Sequence, residues 1–469
     1  MFLDLDKKNK DSVAVVDDEG KRITYGELTD LIIQIKEKVE PRSLIFDLCK
    51  NTTGSLIGYL AFVEKGAVPV MLSSKIDESL LKDLMDIYEP QYLWVPEEDK
   101  DRFGLPEEFS FYGYVLLKTG NEAYPLNDKL QLCMTTSGST GSPKLVRYKK
   151  GNLEANARNV AIAFGWTEDE RAICDLGMQY TMGLNVINTH LYAGATVLLT
   201  TYNLFSAEFW EYIKKERGTN FTGVPFSYDI LYRLHFDRME LPDLHTLSQG
   251  GGKLTDKRFM QLAEYARDND KRFIASFGTT ETSARMACLP PELALTKTGS
   301  IGKAIPEGEL FLVDDEGRIM TEEIAEGELC YRGPNVTMGY ALNKDDLAAD
   351  DEFNGEYHTG DMARRDEDGC YYITGRLSRF LKLLSYRVSL DQCEQLIKQE
   401  FNIECACSGN DERMNIYITD DNKKESVLEF ISMKTGLFKN LFKVSVVPEI
   451  LRNETGKIKY KEMDARYTE

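Results

Sequence analysis

The sequence lacks a membrane-spanning segment, because no stretch approaches the roughly 18 consecutive apolar residues that such a helix needs. Basic residues are also scarce: 57 lysines and arginines face 77 acidic residues, and the net charge is −20. Nucleic-acid affinity depends on neutralising phosphates with Lys and Arg, so this balance argues against a polyanion-binding surface. A small anionic ligand in a local pocket is still compatible with it. The 35 glycines and 14 prolines are ordinary for the length and exclude fibrous and low-complexity classes.

Cysteine is sparse as well and does not indicate a disulfide framework. There are nine cysteines, an odd number, without disulfide-like spacing. The one close pair, Cys405 and Cys407, has no second Cys or His pair nearby, so we expect buried reduced thiols rather than a zinc site. Acidic residues at positions 4 and 6 interrupt the apolar core that a signal peptide requires, and we therefore expect a cytoplasmic protein.

What the chain does contain is a regular alternation of apolar strand-like runs and amphipathic helical patterns. With 42% apolar residues it can build a sizeable core. Strand-like runs are found at 43–48, 195–199 and 272–277, and helical patterns at 25–39, 152–163 and 256–267. This alternation predicts an α/β fold with largely parallel sheets.

The sequence pattern changes in the last third of the chain. Turn signals become frequent between residues 299 and 375, which predicts an antiparallel β subdomain. The following residues return to a helix and short strands. We therefore predict a large N-terminal lobe over residues 1–377, made of α/β sheets and this β subdomain. A small mobile α+β lobe is predicted over 379–469, with a hinge near Ser378.

One motif stands out by its chemistry: Thr135-Thr136-Ser137-Gly138-Ser139-Thr140-Gly141-Ser142-Pro143-Lys144. It follows an apolar strand-like run and precedes a helix for which Asn152 is the predicted N-cap. Such density of glycines and hydroxyls lets successive backbone N–H groups point into one concavity, which suits polyphosphate oxygens. A Walker P-loop is disfavoured, because Ser142 and Pro143 separate the glycine from the lysine. The alternative is a flexible Ser/Thr-rich linker.

This motif resembles the phosphate loop of the adenylate-forming enzymes, which comprise acyl-CoA synthetases, peptide-synthetase adenylation domains and luciferases. Further matches follow in the family's order: Gly250-Gly251-Gly252, Phe277-Gly278-Thr279-Thr280-Glu281, Gly327-Glu328-Leu329 with Gly339-Tyr340, Tyr357-His358-Thr359-Gly360-Asp361, Gly375-Arg376, and Asn453-Glu454-Thr455-Gly456-Lys457-Ile458. The resemblance covers nearly the whole chain, and six motifs in order are far more specific than one.

The resemblance implies a site for ATP as co-substrate. The implied ATP- or AMP-binding residues are Thr135, Thr136, Ser137, Gly138, Ser139, Thr140, Gly141, Gly251, Gly252, Phe277, Gly278, Thr279, Asp361 and Arg376. Phe277 would stack on adenine and Asp361 would accept both ribose hydroxyls, since a carboxylate accepts two bonds at once. For Asp361 the alternative is a surface turn acid, and for Arg376 it is a structural ion pair.

The resemblance also implies catalytic residues and one metal ligand. Thr280 would hold the α-phosphate, Glu281 would bind Mg²⁺, and Lys144 would act from the phosphate loop. Lys457 would approach the carboxylate and the α-phosphate from the mobile lobe, where a cation stabilises transition-state charge. The alternative for Lys457 is an ordinary solvated lysine.

The implied carboxylate pocket includes Tyr180, Thr181, Gly183 and Pro225. Tyr180 lies where the family has an aromatic gate, although a core aromatic is the competing interpretation. Amino-acid-activating members have an Asp just after the gate. Here that neighbour is Thr181, which argues against an α-amino acid and for a plain or aromatic carboxylic acid.

The implied function is activation of a small carboxylic acid to an acyl-adenylate with release of pyrophosphate, then transfer to CoA or to the phosphopantetheine of a separate carrier protein. Two departures from the family bear on the second step: Ser378, followed by Arg379, replaces the usual hinge acid, and Ser385 replaces the glycine of the pantetheine tunnel. Transfer to an amine or hydroxyl, or a non-catalytic nucleotide-binding relative, are the alternatives.

Overall fold

The computed structural model describes residues 1–135, 144–383, 386–453 and 456–467, with the backbone alone at 378, 382, 386 and 387. Its contacts divide the chain into two compact units. The first comprises residues 1–310 and 331–357, and the second comprises residues 311–330 and 358–469. The predicted hinge near Ser378 thus falls within the sequence of the second unit, and the mobility of residues 379–469 stays a prediction.

The strands in the described part of the chain are β1 (Val13–Val16), β2 (Arg22–Thr24), β3 (Leu44–Cys49), β4 (Val68–Ser73), β5 (Tyr92–Pro96), β6 (Glu107–Phe111), β7 (Tyr114–Lys118), β8 (Leu130–Thr135), β9 (Leu145–Lys149), β10 (Arg171–Cys174), β11 (Thr196–Leu199), β12 (Asn220–Gly223), β13 (Thr246–Gln249), β14 (Arg272–Phe277), β15 (Ala287–Cys288), β16 (Lys303–Ala304), β17 (Glu309–Val313), β18 (Ala325–Arg332), β19 (Tyr340–Ala341), β20 (Glu356–Arg365), β21 (Tyr371–Arg376), β22 (Phe380–Leu383), β23 (Tyr386–Ser389), β24 (Cys405–Asn410), β25 (Arg413–Ile418) and β26 (Phe442–Val446).

The α-helices there are α1 (Tyr25–Lys36), α2 (Thr53–Lys65), α3 (Glu78–Tyr88), α4 (Asn152–Phe164), α5 (Thr181–Ala193), α6 (Ala207–Lys215), α7 (Pro225–Arg233), α8 (Asp256–Asp268), α9 (Leu390–Phe401), α10 (Lys424–Thr435) and α11 (Tyr460–Tyr467). None of these described helices combines the length and apolarity needed to cross a membrane. Local caps set several of their starts. In α1, Thr24 and Glu27 satisfy each other's backbone N–H groups.

Two large sheets build the first unit. One has the order β16-β15-β14-β13-β12-β10-β11-β1-β2, and its six strands from β14 to β1 are parallel. The other has the order β19-β9-β8-β4-β3-β5-β7-β6, with a parallel centre from β8 to β5. Short antiparallel strands complete the edges of both sheets. Apolar side chains of both sheets and of α1, α2, α4 and α5 form one buried cluster.

The second unit is built from smaller sheets. A four-stranded sheet, β17-β18-β20-β21, lies largely within it, and β20 and β21 pair in antiparallel register. The hairpin β22–β23 and the three-stranded sheet β24-β25-β26 follow. Apolar residues of these two sheets pack with α9 and α10 into a core of their own.

The predicted fold class is confirmed: parallel-centred α/β sheets are followed by an antiparallel β region and a smaller α+β region. The helix prediction for residues 152–163 is also confirmed, but the predicted N-cap is wrong. Gly151 is the cap, with φ +93°, and Asn152 is the first helical residue. The Asn152 side chain accepts a hydrogen bond from the Lys149 N–H and donates to the carbonyls of Pro334 and Val336. These bonds tie it into the fold, so it is not available to cap its own helix.

Candidate active site

Several predicted site residues of the first unit follow the carboxyl ends of parallel strands. Strands β12, β13 and β14 are parallel neighbours. They are followed by Val224-Pro225, by Gly250–Gly252 and by Gly278–Glu281 respectively. Because the carboxyl ends of parallel strands meet at one edge, the fold brings these segments together, at the kind of edge where α/β proteins bind ligands.

The segment after β14 is a tight turn that requires its glycine. A Cβ on Gly278 would lie 1.4 Å from the carbonyl oxygen of Ala284. Thr279 then caps a short 3₁₀ turn over Thr280–Thr282. The Tyr148 hydroxyl donates to the Thr280 carbonyl over 2.8 Å. The backbone of Thr280 is thus held in place from outside the turn.

Glu281 is held by a tyrosine that the sequence reasoning left without a role. The Tyr340 hydroxyl donates to Glu281 Oε1 over 2.7 Å. Lys144 Nζ lies 3.9 Å from the centroid of the Tyr340 ring, within cation–π range. Burial, with the Glu281 carboxylate as the next cause, raises the pKa of Tyr340, so its hydroxyl stays protonated and donates. We call these three residues the Lys144–Tyr340–Glu281 array.

The array fits a hard divalent cation at Glu281. Glu281 is 9% exposed, and one of its carboxylate oxygens accepts a hydrogen bond from Tyr340. Within the described ranges, the second oxygen has no hydrogen-bond partner. Carboxylate oxygens are the protein ligands Mg²⁺ prefers, and that ion usually takes only one or two of them alongside water and substrate phosphates. The predicted metal ligand is therefore chemically suitable.

The predicted phosphate loop is described only at its two ends. Thr135 ends β8 and Lys144 directly precedes β9. These strands pair antiparallel, with Thr135 opposite Leu145. The motif thus connects two neighbouring antiparallel strands, whereas a Walker P-loop joins a strand to a helix. Its remaining predicted residues lie outside the described part of the chain: Thr136, Ser137, Gly138, Ser139, Thr140 and Gly141.

Pro225 and Met182, at the starts of α7 and α5, lie against the glycine turn after β13. A Cβ on Gly250 would meet Met182 Cε at 2.2 Å, and one on Gly252 would meet Pro225 Cγ at 3.1 Å. Gly251 has φ +73°, a conformation that favours glycine. The structure therefore places Pro225 and the start of α5 against this turn, and their role in binding a carboxylate stays a prediction.

Tyr180 and its neighbours begin α5. Tyr180 is the residue before the helix and is 36% exposed, which disfavours its interpretation as a core aromatic. Thr181 is the first helical residue. Gly183 is obligatory for packing, since a Cβ there would lie 2.3 Å from the carbonyl oxygen of Gly177. The gate role of Tyr180 stays a prediction.

Two charged side chains near this pocket were not found from the sequence. Asp175 follows β10, and burial raises its pKa to about 7. Arg285 is 1% exposed, and burial lowers its pKa to about 10. Its guanidinium donates to Asn185 and to hydroxyls such as that of Ser276, and no carboxylate among the described residues lies within ion-pair distance. A buried cation bonded only to neutral groups is not visible in a sequence pattern.

In the second unit, the structure brings Asp361 and Arg376 together. They face each other across β20 and β21, and Arg376 Nε lies 3.0 Å from Asp361 Oδ1. Asp361 is 4% exposed, and its N–H donates to the Thr359 hydroxyl. Glu328 Oε1 accepts from the neighbouring Gly360 N–H over 3.0 Å. The ion pair that was one interpretation of Arg376 is present, and its ribose or phosphate contact stays a prediction.

Lys457 lies in a tight turn of the second unit. Its N–H donates to Asn453 Oδ1, and its carbonyl accepts from the Asn453 N–H, both over 2.9 Å. Gly456 has φ +80°, which this turn requires. The Gly-Lys motif thus defines a backbone turn, and the catalytic role of its lysine stays a prediction. The side chain of Ser378 and all of Ser385 lie outside the described part.

The family is now identifiable. Residues 4–341 match the family model for AMP-binding enzyme, and the chain belongs to this family of enzymes. It is 26% identical to the 2-succinylbenzoate–CoA ligase of Bacillus cereus (strain AH820) over 467 residues, which is 95% of this chain and 94% of that protein. The predicted family is therefore confirmed.

Solved structures show the same fold. The o-succinylbenzoate CoA synthetase (MenE) of Bacillus subtilis, in complex with the acyl-adenylate intermediate OSB-AMP, matches with a TM-score of 0.81 at 20% identity, covering 98% of this chain and 96% of that one. The same protein with ATP and magnesium ion gives 0.79 at 20%, covering 98% of each chain. The amide bond synthetase McbA of Marinactinospora thermotolerans also gives 0.79, at 18% identity and 98% coverage of each chain.

Proposed function

We propose that this enzyme activates a carboxylic acid with ATP, forming an acyl-adenylate and pyrophosphate, and then transfers the acyl group to the thiol of CoA. The observation that carries the proposal is the Lys144–Tyr340–Glu281 array. It places a cation from the end of the phosphate loop against the ring of one tyrosine, and a carboxylate suited to Mg²⁺ at the hydroxyl of the same tyrosine. The 2-succinylbenzoate–CoA ligase, which covers nearly the whole chain, supports the same class of reaction.

In this function the described residues bind and orient the nucleotide. Mg²⁺ held by Glu281 would screen the charge of the pyrophosphate leaving group. Tyr340 fixes the Glu281 carboxylate, and Lys144 brings positive charge to the phosphates. We assign adenine stacking to Phe277 and the α-phosphate to Thr280.

From the second unit, we assign the ribose hydroxyls to Asp361. Arg376 is within hydrogen-bond reach of that carboxylate and would share the contact. Lys457 would stabilise the charge that develops as the carboxylate attacks phosphorus.

The substrate we propose is a carboxylic acid without an α-amine. Thr181 occupies the position after Tyr180 where an amine-binding acid is found in amino-acid-activating members, and it begins α5 beside the glycine turn. The B. cereus relative acts on 2-succinylbenzoate, an aromatic acid. Aryl acids of similar size are therefore the first class to test.

A change of conformation between the two half-reactions is also part of the proposal. Arg376 is bound to Asp361 on β20, whereas Arg379 is bound to Asp391 and Glu394 of α9. Residues 377 and 378 lie between these two anchored arginines, so a rotation there would leave both sets of ion pairs intact. We propose that residues 379–469 rotate there after adenylation.

The acceptor is the second point to test. We propose CoA, because the B. cereus relative is a CoA ligase and the net charge of −20 disfavours an acidic carrier protein. Both co-substrates, ATP and CoA, are cytoplasmic metabolites, and we propose a cytoplasmic location for that reason.

The direct experiment is carboxylate-dependent ATP–pyrophosphate exchange against aryl, aliphatic, hydroxy and amino acids. Active acids are then incubated with ATP and, in parallel, with CoA, a phosphopantetheinylated carrier protein or an amine. We expect exchange with a non-amino acid and an acyl-CoA product. If none of the acids supports exchange, the proposal is contradicted. An amide as the sole product would contradict CoA as the acyl acceptor.

A further inference from the structure

A cluster of three metal-ligating side chains lies in the second unit, on the sheet that carries Asp361. Glu328 and Cys330 are two residues apart on β18, and His358 lies on the neighbouring strand β20. Alternate residues of a strand project from the same face, so Glu328 and Cys330 face one way. The carboxylate, sulfur and imidazole atoms of the three residues all lie within 4.8 Å of one another.

Two of the three separations are those of ligands around one tetrahedral ion. Cys330 Sγ lies 3.3 Å from His358 Nδ1, and His358 Nδ1 lies 3.3 Å from Glu328 Oε2. Zinc bonds of about 2.3 Å to sulfur and about 2.0–2.2 Å to nitrogen or oxygen, at tetrahedral angles, place ligand atoms about 3.3–3.6 Å apart. Two of the three separations thus match without movement of the backbone.

The Glu328 carboxylate is already oriented for metal binding. Glu328 Oε1 accepts the Gly360 N–H over 3.0 Å, which leaves Oε2 turned toward the imidazole. The Thr359 hydroxyl donates to the Leu329 carbonyl over 2.7 Å and ties the two strands together beside the cluster. Hydrogen bonds that orient a ligand from behind are a regular feature of protein metal sites.

Burial gives the cluster a closed side and an open side. Cys330 is fully buried, the Glu328 side chain is 18% exposed, and that of His358 is 50% exposed. An ion could therefore enter from the imidazole side, where a water molecule could complete its coordination. Sulfur and imidazole ligands suit Zn²⁺ and exclude Mg²⁺, which prefers oxygen.

We propose that Glu328, Cys330 and His358 bind one Zn²⁺ ion at a site separate from the Mg²⁺ ligand Glu281. Binding converts the Cys330 thiol to a thiolate and releases its proton to solvent, while the imidazole binds through Nδ1 in its neutral form. The ion bridges β18 and β20 and so stabilises the β region. This site does not depend on the proposed ligase function.

The test is Co²⁺ titration of the full-length protein, followed by displacement with Zn²⁺. Cobalt bound by a thiolate gives a near-ultraviolet sulfur-to-metal charge-transfer band, and tetrahedral coordination gives intense visible bands. We expect both for one equivalent of Co²⁺, lost in Cys330→Ser and kept in the thiol control Cys288→Ser. His358→Gln, altered at a half-exposed position, should weaken Zn²⁺ binding at least about tenfold as measured with a competing chelator.

The possible results of the cobalt titration lead to different conclusions about the site. A charge-transfer band that is insensitive to both Cys330→Ser and His358→Gln would place the metal elsewhere and overturn the proposal. Absence of any band in the wild type would show that the three side chains form only a hydrogen-bonded cluster. If Cys330→Ser fails to fold, His358→Gln alone decides between these results, and neither experiment requires enzymatic activity.

Discussion

Removal of the Tyr340 hydroxyl tests the array on which the proposed site depends. In Tyr340→Phe the ring beside Lys144 is kept, while the hydroxyl loses its 2.7 Å hydrogen bond to Glu281 and its contact with Tyr357. A hydrogen bond to a charged group contributes about 1.5–3 kcal/mol, and each 1.36 kcal/mol is a factor of ten in rate. If the bond orients Glu281 for Mg²⁺, kcat/KM for ATP in pyrophosphate exchange should fall by about 10- to 150-fold.

A matched control separates orientation of the ligand from general damage. Tyr148→Phe also removes one hydroxyl, but that hydroxyl donates to the neutral carbonyl of Thr280. Hydrogen bonds between neutral groups contribute about 0.5–1.5 kcal/mol, so the loss should be about 2- to 13-fold. Tyr340→Phe should in addition need more Mg²⁺ for half-maximal exchange, whereas Tyr148→Phe should not. Equal losses and an unchanged Mg²⁺ requirement would refute the reasoning.

Three further predictions concern other parts of the chain. Burial lowers the pKa of His190 from 6.5 to about 4, so its contribution to stability is present above pH 6.5 and is lost as the pH falls toward 4. Between pH 7 and pH 5 the wild type should lose about 2 kcal/mol more unfolding free energy than His190→Gln in urea titrations, and parallel curves would contradict this. Arg379→Ala leaves the carboxylate of Glu394, itself only 8% exposed, without its 2.6 Å partner and should destabilise the second unit by about 3–5 kcal/mol. Hydrogen exchange of β24 and β25 measures this loss of stability. Arg413→Ala, at an exposed position, is the control. Equal protection of the two strands in both variants would contradict the predicted destabilisation. Lys457→Ala should suppress adenylation at least about 100-fold while thiolysis of a supplied acyl-adenylate stays within about threefold, and equal loss of both half-reactions would rule out the assigned role.

Much of the fold could be predicted because its signals are local. The apolar run before Thr135 and the helical period from residue 256 correspond to β8 and α8. In the structure Pro225 lies beside Gly252, because the parallel strands β12 and β13 end at one edge. Motif order was enough to predict the family. One of these motifs occupies a turn whose backbone permits few residue types, as the space beside Gly278 shows.

The parts that sequence reasoning missed depend on contacts between distant residues. Tyr340 and Glu281 are 59 positions apart, and nothing local indicates that their side chains meet. Asn152 was expected to cap its own helix, but it bonds to carbonyls more than 180 residues away. Arg285 is fully enclosed among neutral partners, a situation that composition and periodicity do not reveal. Polar contacts between residues far apart in the sequence are therefore the part of the site that local sequence patterns do not predict.

The most direct test of the central claim follows one oxygen atom. If the carboxylate attacks the α-phosphate of ATP, an acid labelled with heavy oxygen in its carboxyl group must transfer one labelled oxygen to AMP when the acyl group passes to CoA. Mass spectrometry of the AMP formed in a single turnover measures this transfer. We predict AMP that carries the label, with acyl-CoA formed in equal amount. Unlabelled AMP, or formation of ADP and phosphate in its place, would contradict an acyl-adenylate mechanism.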